Sequence, residues 1–379
     1  MRSVLISGGG IAGLVLADSL RRQGFAVTIV ERASKPRTTG QAVDIRGAAL
    51  TAMDRLGYRA ELESRRTRLK GMSWLNGAGV EQWRREDFVL SSGRLDSPDI
   101  EILRAELTEV LQAGLLRTDA AREDDGSELV FGDWITGLTD GPDGVDIQFA
   151  QTAPHRFDLV VGADGLYSGV RRLAFGPAER YLHHLGAYLG VFGGPNLIDL
   201  EDWQVWVQDP AATYVVYPTR DNSEVRVTVG FESPAMTVDY RDEPQHRQLV
   251  ADRIARIPWQ TDALRKTLEA SADFQFGAMA QARLGSWSSG RVALIGDAAS
   301  CPSPLTGQGT SVAIIQAYVL AQELARNAAA TDGHTVAYRR YEERLRGFVD
   351  LNQALIGPEG QPAEEGAVDK IKDAVDLDA

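Results

Sequence analysis

The sequence predicts an α/β protein: a Rossmann-like, dinucleotide-binding domain interrupted by an antiparallel-sheet domain and followed by a long C-terminal helix. Three observations predict it. A β-α-β unit opens the chain. From about Leu185 to Phe276 the character changes to aromatic, β-rich segments joined by tight turns such as "TRDNSE", which is the pattern of an antiparallel sheet. Then "GRVALIGDAASCPSPLTGQGTSVAIIQA", Gly290 to Ala317, returns to a buried strand and a glycine-rich helix start.

In the opening unit, "SVLIS" is a strand, "GGGIAG" a turn, "LVLADSLRRQG" a helix ended by Gly24, and "AVTIVE" a second strand. Gly8-x-Gly10-x-x-Gly13 lies between strand and helix. Gly8 suits the tight turn, Gly10 lets backbone approach a pyrophosphate, and Gly13 lets the helix sit close to the strand. Glu31 ends the second strand, where an acid accepts from ribose hydroxyls. That acid disfavours a 2′-phosphate, so the site suits FAD or NAD rather than NADP.

Further along, Arg37 to Arg46 reads as a loop, "GAALTAMDRLG" as a helix, and "EILRAELTEVLQAG" as an amphipathic helix. "FDLVVGADG" is a further buried strand, followed by Ser168 and Arg171. The expected boundaries are 1–180 with 285–330 for the dinucleotide domain, some strands near 70–100 joining the other domain, and 181–284 for the inserted domain. A bridging helix at 335–356 and an acidic tail at 357–379, partly frayed and burying little, complete the layout.

Composition narrows the function. The 379 residues, 44% hydrophobic, can build large cores. Lys plus Arg is 40 against 53 Asp plus Glu, a net charge of −13, which disfavours nucleic acid or an anionic membrane as partner. The lone Cys301 cannot form an internal disulfide. The five histidines have no metal-site spacing, so no metal is expected. No signal peptide or spanning segment is read at the N-terminus, so a cytoplasmic location is expected.

Together, "GGGIAG…E", "GADGLYSGVR" and "GDAASCPSPLTGQG" resemble, in order and spacing, the single-component (class A) flavin monooxygenases of the p-hydroxybenzoate hydroxylase fold. "VDIRG", "EILRAEL" and the chain's size look most like the tetracycline-degrading and polyketide-tailoring branch. The resemblance implies a Rossmann-like FAD-binding domain with an inserted antiparallel-sheet substrate domain. It implies FAD as cofactor and NADPH or NADH as a transient cosubstrate. Dioxygen would add to the reduced flavin as a hydroperoxide, and an aromatic or polyketide-like molecule would be hydroxylated. A monomer or weak homodimer is expected.

Carried over residue by residue, the resemblance puts Asp297 on a ribityl hydroxyl and Gly307, Gln308 and Gly309 at the flavin's pyrimidine edge. There a helix N-terminus favours negative charge by about 0.3–1 kcal/mol. Pro304 would sit between flavin and substrate. Glu31, Arg32, Arg46, Arg104 and Asp164 complete the cofactor set, Asp164 also being associated with nicotinamide contact. Arg104 could also be a charge on an exposed helix, but the flanking Ile102, Leu103 and Leu107 imply a helix packed down and favour the cofactor role, whereas the two readings of Arg46 are even. Many members have a histidine directly after Gly-Asp-Ala-Ala; here it is Ser300. Cys301 reads as packing rather than a reactive thiol.

Alternation places Val215 and Tyr217 on one face of "TYVVYPT", and Tyr214 and Val216 on the other. By the resemblance, Val215, Tyr217 and Arg226 face the substrate, although ordinary sheet packing accounts for them too. Two alternatives stay open: a reductase or halogenase on the same fold, and a flavoprotein that binds FAD and a ligand without turnover. "WQVWVQDP" only echoes the halogenase signature.

Overall fold

The structure is a computed structural model that describes residues 2–36, 40–90, 93–116, 127–236, 242–357, 364 and 366–379. Its centre is a six-stranded sheet in the order Ser288–Ser289, Val292–Leu294, Leu159–Gly162, Ser3–Ser7, Ala26–Glu31, Glu128–Phe131. All neighbours are parallel except the first pair. Parallel strands are covered on both faces and so read as apolar runs: Val4, Leu5, Ile6, Val160, Val161, Ala293 and Leu294 are fully buried. The helix Ile11–Arg22 lies on this sheet and packs against the helix Gly309–Arg326, which packs in turn against Gly333–Gln353.

A seven-stranded sheet stands beside it, in the order Gln275–Ala282, Leu182–Pro195, Glu224–Glu232, Ala212–Pro218, Gln204–Asp209, Met72–Asn76, Glu81–Arg85. Its last two strands come from the early part of the chain. One face, with Tyr188, Tyr214, Val216, Val227 and Val229, packs under the helices Glu243–Ile254 and Thr261–Ala270. On the other face Val215, Tyr217 and Trp206 meet Ala42 and Leu103. Among the described residues no helix is long and apolar enough to cross a membrane.

Three local expectations are corrected. Of the loop Arg37 to Arg46, positions 37–39 lie outside the described residues, and Ala42–Ile45 is a strand. It pairs antiparallel with Ile100–Leu103, so the helix expected across "EILRAEL" begins only at Arg104. The apolar run of Ile100, Ile102 and Leu103 satisfies its backbone through this long-range ladder, a partner that local periodicity cannot show.

The tail is the third correction. Residues 358–363 and 365 lie outside the described part, but 366–379 packs against the body. Ala367–Ile371 is a short helix, Val375 packs on the main core, and Leu377 is buried. Lys372 Nζ lies 2.8 Å from Asp99 Oδ2, both largely buried. Arg55 holds Asp378 through both carboxylate oxygens, at 2.7 and 2.9 Å. Composition gave the segment's charge and missed that single residues of it complete a buried surface.

Truncation after Gly357 is therefore expected to lower the melting temperature. It exposes the Leu377 site, worth about 1.5–3 kcal/mol, and leaves Asp99 buried without its lysine, a loss of roughly 3–5 kcal/mol. Differential scanning fluorimetry of the truncated chain checks this; wild-type melting would contradict the packing described.

Candidate functional site

The three motifs meet where strands of the parallel sheet end. Ala163 N donates to Ser7 O at 2.8 Å and Ile295 N to Gly162 O at 3.0 Å, so the ends of three adjacent strands are tied together. A Cβ at Gly8, which has φ +112°, would lie 2.5 Å from Ala163 O. One at Gly13 would lie 2.0 Å from Gly8 O. These two positions exclude any side chain. At Gly10, which precedes the first helix, a Cβ would meet nothing within 4 Å. The first and third motifs also touch, since a Cβ at Gly296 would lie 3.0 Å from Ala12 Cβ.

Buried side chains fasten the remaining pieces. Arg171 donates to Ala298 O at 2.9 Å and also to Leu166 O, tying the second motif to the third. Gln316 takes Gly296 N at 2.6 Å and donates to Ser300 Oγ at 2.9 Å. It is fully buried. Its amide fixes the turn ahead of Asp297 to the helix Gly309–Arg326. Sequence reading passed over Gln316; the signal was an amide inside the apolar run "AIIQA", a position that demands hydrogen-bond partners.

The acids differ in what they leave available. Glu31 accepts from Gly9 N and Ala33 N, each at 2.8 Å and each through a different oxygen. It shapes the glycine-rich loop and keeps lone pairs on both oxygens. Asp164 is absorbed by the chain: it accepts from Ser168 Oγ, from Gly169 N at 2.8 Å and from Val170 N at 3.0 Å. These bonds satisfy the first N–H groups of the helix Gly169–Ala174 and fix the loop beside Gly8.

Asp297 is half-buried, next to the start of the helix Gly309–Arg326. A Cβ on Gly309 would lie 3.9 Å from its Oδ1. Burial pushes its carboxyl up, while Arg104, a hydrogen bond with Cys301 and Arg171 pull it down. The Cys301 thiol is raised well above its ordinary range by burial, with Asp297 adding to the effect, so it is no nucleophile at neutral pH.

The chain turns sharply before the helix Gly309–Arg326. Ser303 has φ +88° and Gly307 φ +62°, flanking a 3-10 turn that begins at the exposed Pro304. Gln308 is fully buried, and its Oε1 has no hydrogen-bond partner among the described residues. Arg104 opens the helix Arg104–Leu116, and its Cβ is 3.3 Å from where a Gly40 Cβ would be. Arg46 N donates to Ser311 Oγ at 3.0 Å, in the first turn of Gly309–Arg326. Arg32 is exposed beyond Glu31.

The structure brings Val215, Tyr217 and Arg226 to one sheet face: Val215 pairs with Thr228, and Tyr217 with Arg226. Tyr217 OH accepts from Ala42 N at 2.6 Å, across to the first domain. Arg226 is buried, donates to Glu224 at 2.8 Å, and has no partner for Nε among the described residues.

These residues fit FAD. The open space at Gly10, the carboxylates of Glu31 and Asp297 with lone pairs unspent, and the orphaned amide oxygen of Gln308 form a cradle with backbone donors at its ends. A Gly10→Val chain is expected to purify colourless, because the new side chain fills the open space; a yellow, flavin-loaded preparation would contradict it. Asp297→Ala is expected to weaken FAD binding about tenfold to a hundredfold, from the loss of a charge-assisted hydrogen bond of roughly 1.5–3 kcal/mol. Titration followed by flavin fluorescence reads this directly, and an unchanged dissociation constant would remove Asp297 from the site.

Comparison with known proteins agrees with the geometry. Residues 1–347 match the family described as FAD binding domain. A "Flavin-dependent monooxygenase" of Legionella longbeachae serogroup 1 (strain NSW150) is 33% identical over 354 residues, covering 92% of this chain and 86% of that protein. The crystal structure of tetracycline destructase Tet(51) superposes with a TM-score of 0.83 at 30% identity, over 94% of this chain and 89% of that one. Tet(55) gives 0.83 at 28%, over 100% and 99%. The chain belongs to the FAD-binding-domain family, as an FAD-dependent monooxygenase of the p-hydroxybenzoate hydroxylase fold.

Proposed function

We propose that the enzyme hydroxylates a planar aromatic or polyketide-like molecule, with NADPH or NADH as transient reductant. Overall, substrate, dioxygen, reduced nicotinamide and a proton give hydroxylated product, oxidised nicotinamide and water. The observation that carries the reading is the sheet face of Val215, Tyr217 and Arg226, which fronts the domain holding Asp297, Arg104 and the Gly307–Gly309 turn. Likeness to tetracycline destructases and flavin-dependent monooxygenases supports it.

Bound FAD supplies a hydride acceptor and the site of dioxygen activation. The chain supplies position and charge. Glu31 and the backbone at Gly10 would hold the adenosine and pyrophosphate end, and Asp297 the ribityl hydroxyls. The N-terminus of Gly309–Arg326 would face the ring's pyrimidine edge and stabilise negative charge there.

On the substrate side, Tyr217 spends an acceptor site on Ala42 N–H and keeps its own proton to donate. Burial raises its phenol above the ordinary value, so it is neutral at physiological pH. Arg226 offers the buried Nε–H to an enolate or phenolate oxygen, which a planar polycycle with ionisable hydroxyls carries.

A ligand screen under air, with NADH and NADPH in turn, tests this. Substrate-class molecules are expected to accelerate nicotinamide oxidation several-fold, and Arg226→Ala to raise KM while leaving flavin content unchanged. A flavin-loaded enzyme whose nicotinamide oxidation no aromatic or polyketide-like compound stimulates would contradict the proposal.

A further inference from the structure

We propose that Lys372, in the C-terminal segment, is a positioning residue of the cofactor site. It acts on the turn Asp44 to Gly47, which braces the first turn of the helix Gly309–Arg326.

Three carboxylates lie buried together under this turn: Asp44, Asp99 and Glu101, at 7%, 8% and 4% exposure. Asp44 and Glu101 are directly opposite across the strand pair Ala42–Ile45 and Ile100–Leu103. Like charges opposed on a ladder repel, and burial magnifies the repulsion. Among the described residues two cations sit against them. Arg46, itself buried, donates to Asp44 Oδ2 at 3.0 Å. Lys372 is the other, 2.8 Å from Asp99 Oδ2. It comes from a segment in which acids outnumber the two lysines, Lys370 and Lys372. Burial, with Glu101 adding to it, pushes the Asp44 carboxyl up to about 7 against the pull of Arg46. Asp99 lies below the usual carboxylate range, despite its burial, because Lys372 and Gly47 N–H hold its charged form.

Lys372 reaches the turn twice. Asp99, held by the ammonium, accepts from Gly47 N at 3.0 Å through its other oxygen. The Lys372 carbonyl accepts from Ala48 N at 3.2 Å, in the first turn of the helix Ala48–Arg55. The fit is tight: a Cβ at Gly47, which has φ +50°, would lie 2.7 Å from Lys372 O. From Gly47 the path to the cofactor is short. Arg46 N donates to Ser311 Oγ, and Ser311 Oγ donates to Asp44 O at 3.2 Å. Ser311 is in the helix turn whose first residue, Gly309, lies against Asp297. An unneutralised Asp99 would favour rearrangement of the turn, and Ser311 would lose the partners that fix the helix start.

The full-length chain is titrated with FAD as wild type, Lys372→Met, Asp99→Asn and the double variant, and each apoprotein is melted. Wild type is the reference arm, so a chain that binds no FAD at all is told apart from a shift in affinity. Lys372→Met is expected to weaken FAD about tenfold, and the double variant, which removes the stranded charge with its partner, to recover most of that loss. A role confined to fold stability would lower apoprotein melting and leave FAD affinity at the wild-type value; that result overturns the proposal. So does a double variant as weak as Lys372→Met or weaker. If Lys372→Met does not fold, Lys372→Gln, which keeps a polar end without the charge, carries the test in its place: weaker FAD binding supports the proposal, and wild-type affinity overturns it.

Discussion

The site depends on the contact of backbone on backbone where strands Ser3–Ser7, Leu159–Gly162 and Val292–Leu294 end. Gly8 lies on Ala163 and Gly13 on Gly8, at distances that no Cβ survives. Everything at the site hangs from this junction. The parallel ladder sets the strand ends level, the glycines let the loops close on one another, and Arg171 and Gln316 lock the second and third motifs in place. Because the loops are fixed by buried hydrogen bonds, the polar groups aimed outward are set before a cofactor arrives. Such preorganisation lets charge be stabilised without reorganising the site.

Two kinds of acid follow from that arrangement. Asp164 and, in part, Glu31 spend their oxygens on backbone N–H groups and act as architecture. Asp297 accepts from no backbone donor among the described residues and is held by Arg104, the Cys301 thiol and Arg171. A carboxylate at each of three strand ends therefore does different work, decided by the donors each one meets. Buried arginines are likewise placed by their acceptors: Arg46 pairs with Asp44 and Arg226 with Glu224, and Arg171 ties two of the loops together.

What the sequence made legible was what local spacing can encode. Glycine spacing after an apolar strand predicted the first loop, and "GADG" and "GDAAS" predicted the other two. Alternation separated Val215 and Tyr217 from Tyr214 and Val216, as the sheet now does. What it hid depended on partners far away in the chain. Ile100–Leu103 became a strand only because Ala42–Ile45 lay beside it. The bonds that tie Asp164 to Ser168, Gly169 and Val170 were likewise invisible before the fold placed them. Lys372 sat in a segment whose composition argued against burial, and its meaning came from acids brought together by a fold, not by a motif.

The junction and the facing sheet together imply that a flavin held here passes oxygen from dioxygen to a molecule lying on the face of the seven-stranded sheet. The most direct measurement is mass spectrometry of product formed under isotope-labelled dioxygen, with a substrate that stimulates nicotinamide oxidation. The account predicts one labelled oxygen atom in each product molecule. Product oxygen drawn from water, or a product reduced and not oxygenated, would contradict it.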